Sequence, residues 1–200
     1  MVQVAVMGRI KKILLGTSER KLSAQEQVFG GFVAGVTSAI VGGPCELVMI
    51  QQQRKGKSMV ATIRSLMGPQ ITRGIVPTAI REGLWTVGYL AVPPLIRGLI
   101  RDAAPQTFDS DDKARAPAAF LGALLTCYGS HPFDTAKTCM QGDVERKTYG
   151  GLIQTFKSLH AAEGIAGFYR GVKWRFLRQF IAIFVMDKVR LQFCFWSQYQ

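Results

Sequence analysis

The sequence predicts an all-α membrane protein: a transmembrane helix bundle of about four full spans plus the end of another, joined by short amphipathic helices. Three observations carry the prediction. Hydrophobic residues make up 48% of the 200 residues, and mean hydropathy is positive, yet the net charge is +12. Lys and Arg gather between the apolar runs and at their ends, as in a chain held by its loops at a membrane surface. Finally, Pro44-Cys45-Glu46-Leu47-Val48-Met49 is echoed by Pro132-Phe133-Asp134-Thr135-Ala136-Lys137. Each copy ends an apolar run and is followed at the same distance by a glutamine, Gln53 or Gln141, which marks an internal repeat.

Several function classes fit poorly. A nucleic-acid binder would carry its basic residues on a polar domain with a recognisable motif; here they flank apolar segments. Cys45, Cys127, Cys139 and Cys194 stand alone, without a CxxC pair or a His/Cys cluster, so neither a metal site nor a disulfide framework is expected and the cysteines read as helix-packing residues. His131 and His160 lack partners that suggest chemistry and read as structural. No nucleophile–base pair and no phosphate loop is apparent, so no enzyme activity and no cofactor are expected. The N-terminus turns basic at Arg9-Ile10-Lys11-Lys12 without a cleavage site, unlike a secretory signal.

Taken in order, residues 1–15 read as the end of an apolar helix closed by Lys11 and Lys12. Ser23-Ala24-Gln25-Glu26 is a capping box that opens a helix running through Gly30, Gly31 and Gly35 to Gln53, long enough to span a bilayer. Gly31 and Gly35 form a small-xxx-small step that permits close helix approach. After a basic turn at 54–57 comes a short amphipathic piece, 57–67, with apolar residues at Val60, Ile63, Leu66 and Met67. A second apolar stretch covers 74–100, with Arg81 and Glu82 in its first third and Pro93-Pro94 set to disturb its later part. A polar, acidic loop is expected over 101–115. The third stretch runs from Ala116 to Gln141, with Ala119 and Ala123 where the earlier helix has its glycines. Another short amphipathic helix is expected over 149–162, and a last apolar stretch over 171–196, carrying Arg175 and Arg178. The units are therefore 23–103 and 116–197. Arg73-Gly74 and Arg170-Gly171 align them, and Arg81 and Arg178 then fall at the same register.

Pro132 to Lys137 with Gln141, followed by Glu163-Gly164-Ile165-Ala166-Gly167-Phe168-Tyr169-Arg170-Gly171, resembles the paired signatures of the mitochondrial carrier family. Pro44 to Gln53 resembles the first signature with Met49 in the basic position, and Arg73-Gly74 is what remains of the second. The resemblance covers essentially the whole chain. It implies a mitochondrial inner-membrane, multi-pass protein, monomeric at full length, whose short helices lie on the matrix side. Family members have three such units and this chain has two, so it is expected to be a fragment holding the second and third, with residues 1–15 ending a helix of the first.

The resemblance also assigns roles. Pro44 and Pro132 kink their helices, and acid and base three residues apart point to one face. The acid of one unit pairs with the base of the next, which gives Glu46–Lys137 as a matrix gate. Asp134 should pair outside this chain, and Met49 cannot pair at all. Gln53 and Gln141 match the glutamines that brace such pairs. On the opposite side, Asp187 and Arg190 match a cytoplasmic gate, with Met186 where an aromatic would stand; after Arg81 the matching positions are Tyr89, Leu90 and Pro93, which carry no charge. Arg81, Glu82 and Arg178 fall at substrate contact points. Arginine there suits a carboxylate or phosphate, and Glu82 suits an ammonium group or simply holds Arg81. Arg175 either serves the pathway or packs at its helix start, and Trp85 and Gln179 either line the cavity or pack.

The function implied is exchange of a small carboxylate-bearing metabolite by alternating access, the partners being that anionic or zwitterionic solute and membrane lipid, cardiolipin among them. A basic amino acid or related cation is the alternative substrate class, because Arg81 and Glu82 stand together. A non-transporting, carrier-derived membrane interaction protein is the alternative function, favoured by Met49 and the lost charges after Arg81.

Overall fold

The computed structural model describes residues 6, 8–10, 12–13 and 23–197, apart from the side chains of Asp111, Asp187, Lys188 and residues 190–197. The helix end expected over 1–15 thus lies largely outside the described residues. Every regular element among the described residues is helical.

Helix α1, Ala24–Lys55, opens on the expected capping box: the Glu26 carboxylate accepts from the Ser23 amide at 2.8 Å and the Glu26 amide donates to the Ser23 hydroxyl at 3.3 Å. Two otherwise orphaned donors are satisfied in this way. The helix carries Pro44 inside it and is long and apolar enough to cross a membrane, with a mean hydropathy of 1.7 over its most apolar window. Helix α2, Met59–Leu66, and a 3-10 turn, Pro69–Thr72, follow.

The 74–100 stretch is not one helix. It divides into α3, Ile75–Leu90, and α4, Val92–Ala103, across a bend of 40°. Pro93 and Pro94 lack amide protons, so the ladder cannot run unbroken through this point. Helix α5, Asp111–Gly142, contains Pro117 and Pro132 and starts earlier than the expected Ala116. Ser110 caps it by accepting from the Lys113 amide, and helical Asp112 and Arg115 pair in its first turn, so charged residues expected to form a loop are helical. Helix α6, Leu152–Phe168, is broken at Gly164, whose φ of 63° suits a residue without a Cβ. Helix α7 spans Val172–Ser197.

Packing runs around an arc in which α1 lies on α3, α3 on α5 and α5 on α7, with α4 against α5. Tyr89, Ala119, Ala123 and Ile183 form one buried cluster where α3, α5 and α7 meet. A second, of Leu47, Val48, Leu66 and Val144, joins the end of α1 to α2 and to the segment after α5. Phe29, Ile40, Val41, Leu125 and Ile181 are exposed on helix faces, as expected of a lipid-facing surface. The α2 segment, read as amphipathic, is helical, with its apolar residues divided between the core and the outer surface. Its buried residues are Thr62 and Leu66, while Val60, Ile63 and Met67 are exposed. An amphipathic helix at a bilayer surface turns its apolar side to lipid rather than to the core.

Among the described glycines, the closest approach of one helix to another's backbone falls at Gly35. A Cβ there would lie 2.3 Å from the Glu82 carbonyl oxygen of α3, against backbone that cannot swing aside. Gly42, by contrast, has nothing within 4 Å. Gly35→Ala should therefore destabilise the purified protein by about 1–3 kcal/mol, whereas Gly42→Ala should be neutral or stabilising by up to about 1 kcal/mol. Thermal unfolding of both variants in detergent measures the difference.

A buried charge cluster as the candidate functional site

Four helices deliver ionised side chains to one place. Glu46 comes from α1, two residues after its kinking proline; Arg81 and Glu82 come from α3; Asp134 and Lys137 come from α5, just past Pro132; Arg175 comes from the first turn of α7. Lys137 contacts Oε2 of Glu46. Arg81 Nη2 lies 3.1 and 3.3 Å from the two Glu46 carboxylate oxygens and also contacts Glu82. Arg81 Nε lies 3.4 Å from Asp134 Oδ1, and Arg175 Nη1 contacts Asp134 Oδ2. The side chains of Lys137, Arg81 and Arg175 are about nine-tenths buried. Buried charges survive only when paired and hydrogen-bonded, and a charge cluster inside a membrane helix bundle is costly enough to indicate use.

The structure brings Glu46 and Lys137 together. It gives Asp134 a different environment from the one expected. Its partners are Arg81 and Arg175 of this chain, because the start of α7 packs on α5 and carries Arg175 to the Asp134 side. Arg175 thereby joins the cluster; in the sequence its position at a helix start fitted packing equally well. Arg178 is exposed and outside the cluster, and Met49 is exposed. Gln53 is also exposed and lines an open cleft of about 1040 Å³ beyond the helix ends. Gln141 is fully buried, with its side chain lying over Gly74, and its amide has no hydrogen-bond partner among the described residues. Neither glutamine therefore braces the Glu46–Lys137 pair here. Gln179 is buried with its amide unpartnered among the described residues, while Trp85 packs edge-on against Tyr89 at 5.0 Å. The side chains of Asp187 and Arg190 lie outside the described residues.

Beneath the cluster, the carbonyls that end α5 are satisfied by side chains of the preceding unit. Gln51 donates to the Gln141 carbonyl at 2.6 Å and Arg54 donates to that of Gly142. Buried Arg73 donates to the carbonyls of Met140 at 3.1 Å and Asp143 at 3.2 Å, and to those of Tyr149 and Gly150. Cationic and amide donors thus meet the negative end of the helix. Sequence reasoning missed Gln51 because Gln53 held the motif register. The run Gln51-Gln52-Gln53 was the available signal.

Residues 114–190 match the sequence profile of the family described as "Mitochondrial carrier protein". The later unit of the chain is thus similar to mitochondrial carrier proteins. It is 29% identical over 166 residues to a mitochondrial glycine transporter of Candida glabrata, covering 74% of this chain and 54% of that protein. It is 24% identical over 177 residues to mitochondrial 2-oxodicarboxylate carrier 1 of Saccharomyces cerevisiae, covering 84% and 56%. It is 26% identical over 172 residues to mitochondrial thiamine pyrophosphate carrier 1 of Phaeosphaeria nodorum, covering 75% and 53%. The chain spans about half the length of the curated relatives it matches. The all-helical architecture and the mitochondrial names of these relatives agree with the expected membrane location.

Two outcomes test the ties below the cluster. Arg73→Leu removes a buried cation that serves four carbonyls and should cost about 3 kcal/mol or more of stability, read from thermal unfolding. In the loop after α5, the Asp143 carboxylate accepts the amides of Thr148 at 2.7 Å, Tyr149 at 2.8 Å and Lys147 at 3.0 Å. These bonds, those of Tyr149 and Thr148 foremost, hold its carboxyl below the ordinary range. A depressed folded-state value means that the stabilisation is present above the ordinary range and is lost as pH falls through the lower value. The amide proton shifts of Thr148 and Tyr149 should therefore stay constant down to about pH 4 and move only below it.

Proposed function

We propose that this chain forms part of a mitochondrial solute carrier that exchanges a small carboxylate-bearing metabolite by alternating access. The observation that carries the proposal is the buried ionic cluster drawn from α1, α3, α5 and α7. It is a closed contact between helices that opening on one side would have to break. Lys137 and Glu46 act as gate, with Asp134 as the second gate acid, and Arg178 is left to meet the solute, its guanidinium exposed and suited to a carboxylate or phosphate. The named solutes of the relatives fit this chemistry: 2-oxodicarboxylates and glycine carry carboxylates, and thiamine pyrophosphate carries phosphate. The arrangement of Glu82 weighs against a basic amino acid, since its carboxylate is engaged by Arg81 rather than presented to an incoming ammonium group.

A second reading is a carrier-derived membrane protein that interacts without transporting. Met49 favours it, since this residue stands exposed where a gate base would be.

Exchange of labelled 2-oxoglutarate, malate, glycine, lysine and thiamine pyrophosphate by protein reconstituted in liposomes decides between them. Exchange of an anionic or zwitterionic solute is expected, with Arg178→Ala lowering it about tenfold or more, a loss of at least about 1.4 kcal/mol of transition-state stabilisation. Absence of exchange with every solute would overturn transport in favour of the second reading, and exchange of lysine alone would overturn the anionic substrate class.

A further inference from the structure

The cluster is a single row. Lys137 holds Glu46, Glu46 meets Arg81, Arg81 meets Asp134, and Asp134 is held by Arg175, with Glu82 attached to Arg81 at the centre. Arg81 alone touches all three carboxylates. Lys137 and Arg175 each hold one, so removing Arg81 would divide the row into two separate pairs, Lys137–Glu46 and Asp134–Arg175. Three acids face three cations, which leaves no unbalanced positive charge in the row for an entering anion. Arg81 occupies a register that pointed in the sequence to substrate contact alone, yet its side chain is only 10% exposed, its Nη2 donates to Glu46, and its Nε stands 3.4 Å from Asp134 as an ion pair without a hydrogen bond.

We propose that Arg81 is the central cation of the gate itself, a positioning residue that ties Glu46 to Asp134, and that a solute carboxylate opens the gate by taking over this guanidinium. The inference rests on the transport reading above and deepens it. A guanidinium offers five donors in a rigid fork and can serve two carboxylates at once, whereas an ammonium is a compact point charge on a flexible stem. A carboxylate that pairs with Arg81 competes with Glu46 and Asp134 for the same guanidinium charge, so binding of the solute and release of the gate meet at one side chain. A ligand shifts a two-state equilibrium only by its differential affinity for the two states, and here that difference comes from the gate acids competing for the same donors. The row also compensates for the uncharged Met49, since both gate acids find cations within this chain.

The test begins without solute. Thermal unfolding of the purified full chain in detergent is compared for wild type, Arg81→Gln, Asp134→Asn and the double variant. Each single change should lower Tm by about 5 °C or more, and the double variant should fall by clearly less than the sum of the two, even though the Asp134 change gives up Arg175 in either background. A double-variant shift equal to the sum of the singles, or an unchanged Tm in Arg81→Gln, overturns the tie. The second arm uses 2-oxoglutarate, malate and glycine as probes of unfolding and of exchange. Arg81→Lys keeps the charge but not the fork. It should raise KM for the exchanged probe at least tenfold and abolish the Tm shift that the probe gives to wild type. If Arg81→Lys lowers Tm while KM and the probe-induced shift stay at wild-type values, Arg81 is merely structural and the takeover is overturned. A wild-type chain that exchanges nothing overturns the transport reading and the takeover together, while the coupling of Arg81 to Asp134 is still judged by the solute-free cycle.

Discussion

A buried guanidinium surrounded by carboxylates is the constraint around which the helices are arranged. Arg81, Lys137 and Arg175 are each largely withdrawn from solvent, and none can remain ionised there without a counter-charge within contact distance. That requirement sets where the helices converge. Helix α1 must bring Glu46 to α3 and α5 at once, and α7 must start close enough to α5 for Arg175 to reach Asp134. The proximity of α1 and α3 in turn depends on Gly35, where the backbone of α3 approaches the α1 surface too closely for any side chain. Close packing of small residues and pairing of buried charges are thus two sides of one geometry. The glycine contact brings the helices near enough for Arg81 to reach Glu46, and the ion pairs give that approach a directional reason beyond dispersion.

The second tie is polar but not ionic. A helix end leaves carbonyls without intrahelical partners, and the end of α5 is met by Gln51, Arg54 and Arg73. All three belong to the preceding unit, so the two repeats are joined at both ends of the segment from Asp134 to Asp143, by charge pairs above and by carbonyl caps below. The repeats also diverge here in an instructive way. In the later unit Arg170 pairs with Glu163 at 3.0 Å, both at the surface. In the earlier unit the matching arginine, Arg73, has no acid in the corresponding stretch, where Met67 precedes Gly68. It is buried instead and takes backbone carbonyls of its neighbour. The same residue type at the same register has exchanged an exposed salt bridge, worth little in water, for a set of charge-assisted bonds in the interior.

Much of this was legible in the sequence where a rule of spacing admits few alternatives. A capping box before an apolar run and a small-xxx-small step each specify local geometry, and α1 and the Gly35 contact follow from them; the Glu46–Lys137 pair was implied by the family resemblance rather than by spacing. Legibility failed where several positions satisfied the same rule. Three consecutive glutamines offered Gln53 in the motif register, yet the helix turns Gln51 towards α5. Arg175, near a helix start, had a packing role as plausible as an ionic one, and only the approach of α7 to α5 distinguishes them. The acidic segment before α5 looked like loop by composition, but Ser110 supplies a cap and neighbouring charges pair along the helix, so local hydrogen bonding outweighs the polarity of the residues.

The division of labour among the arginines follows from where each sits relative to the available acids. Arg81 and Arg178 share a register in the two units, but Arg81 lies on α3 with an acid beside it in Glu82 and gate acids on α1 and α5. Arg178 lies on α7 and is exposed, while Arg175 of the same helix takes Asp134. A cation already paired with acids binds an incoming carboxylate in competition with those pairs. An exposed one gives up water and binds with little structural consequence. Equivalent positions in a repeat therefore divide naturally into a residue suited to hold a solute, Arg178, and one suited to convert the binding of that solute into movement of the helices, Arg81. The asymmetry arises from Glu82 and Arg175, which have no counterparts of the same kind at the matching positions, Gln179 and Thr78.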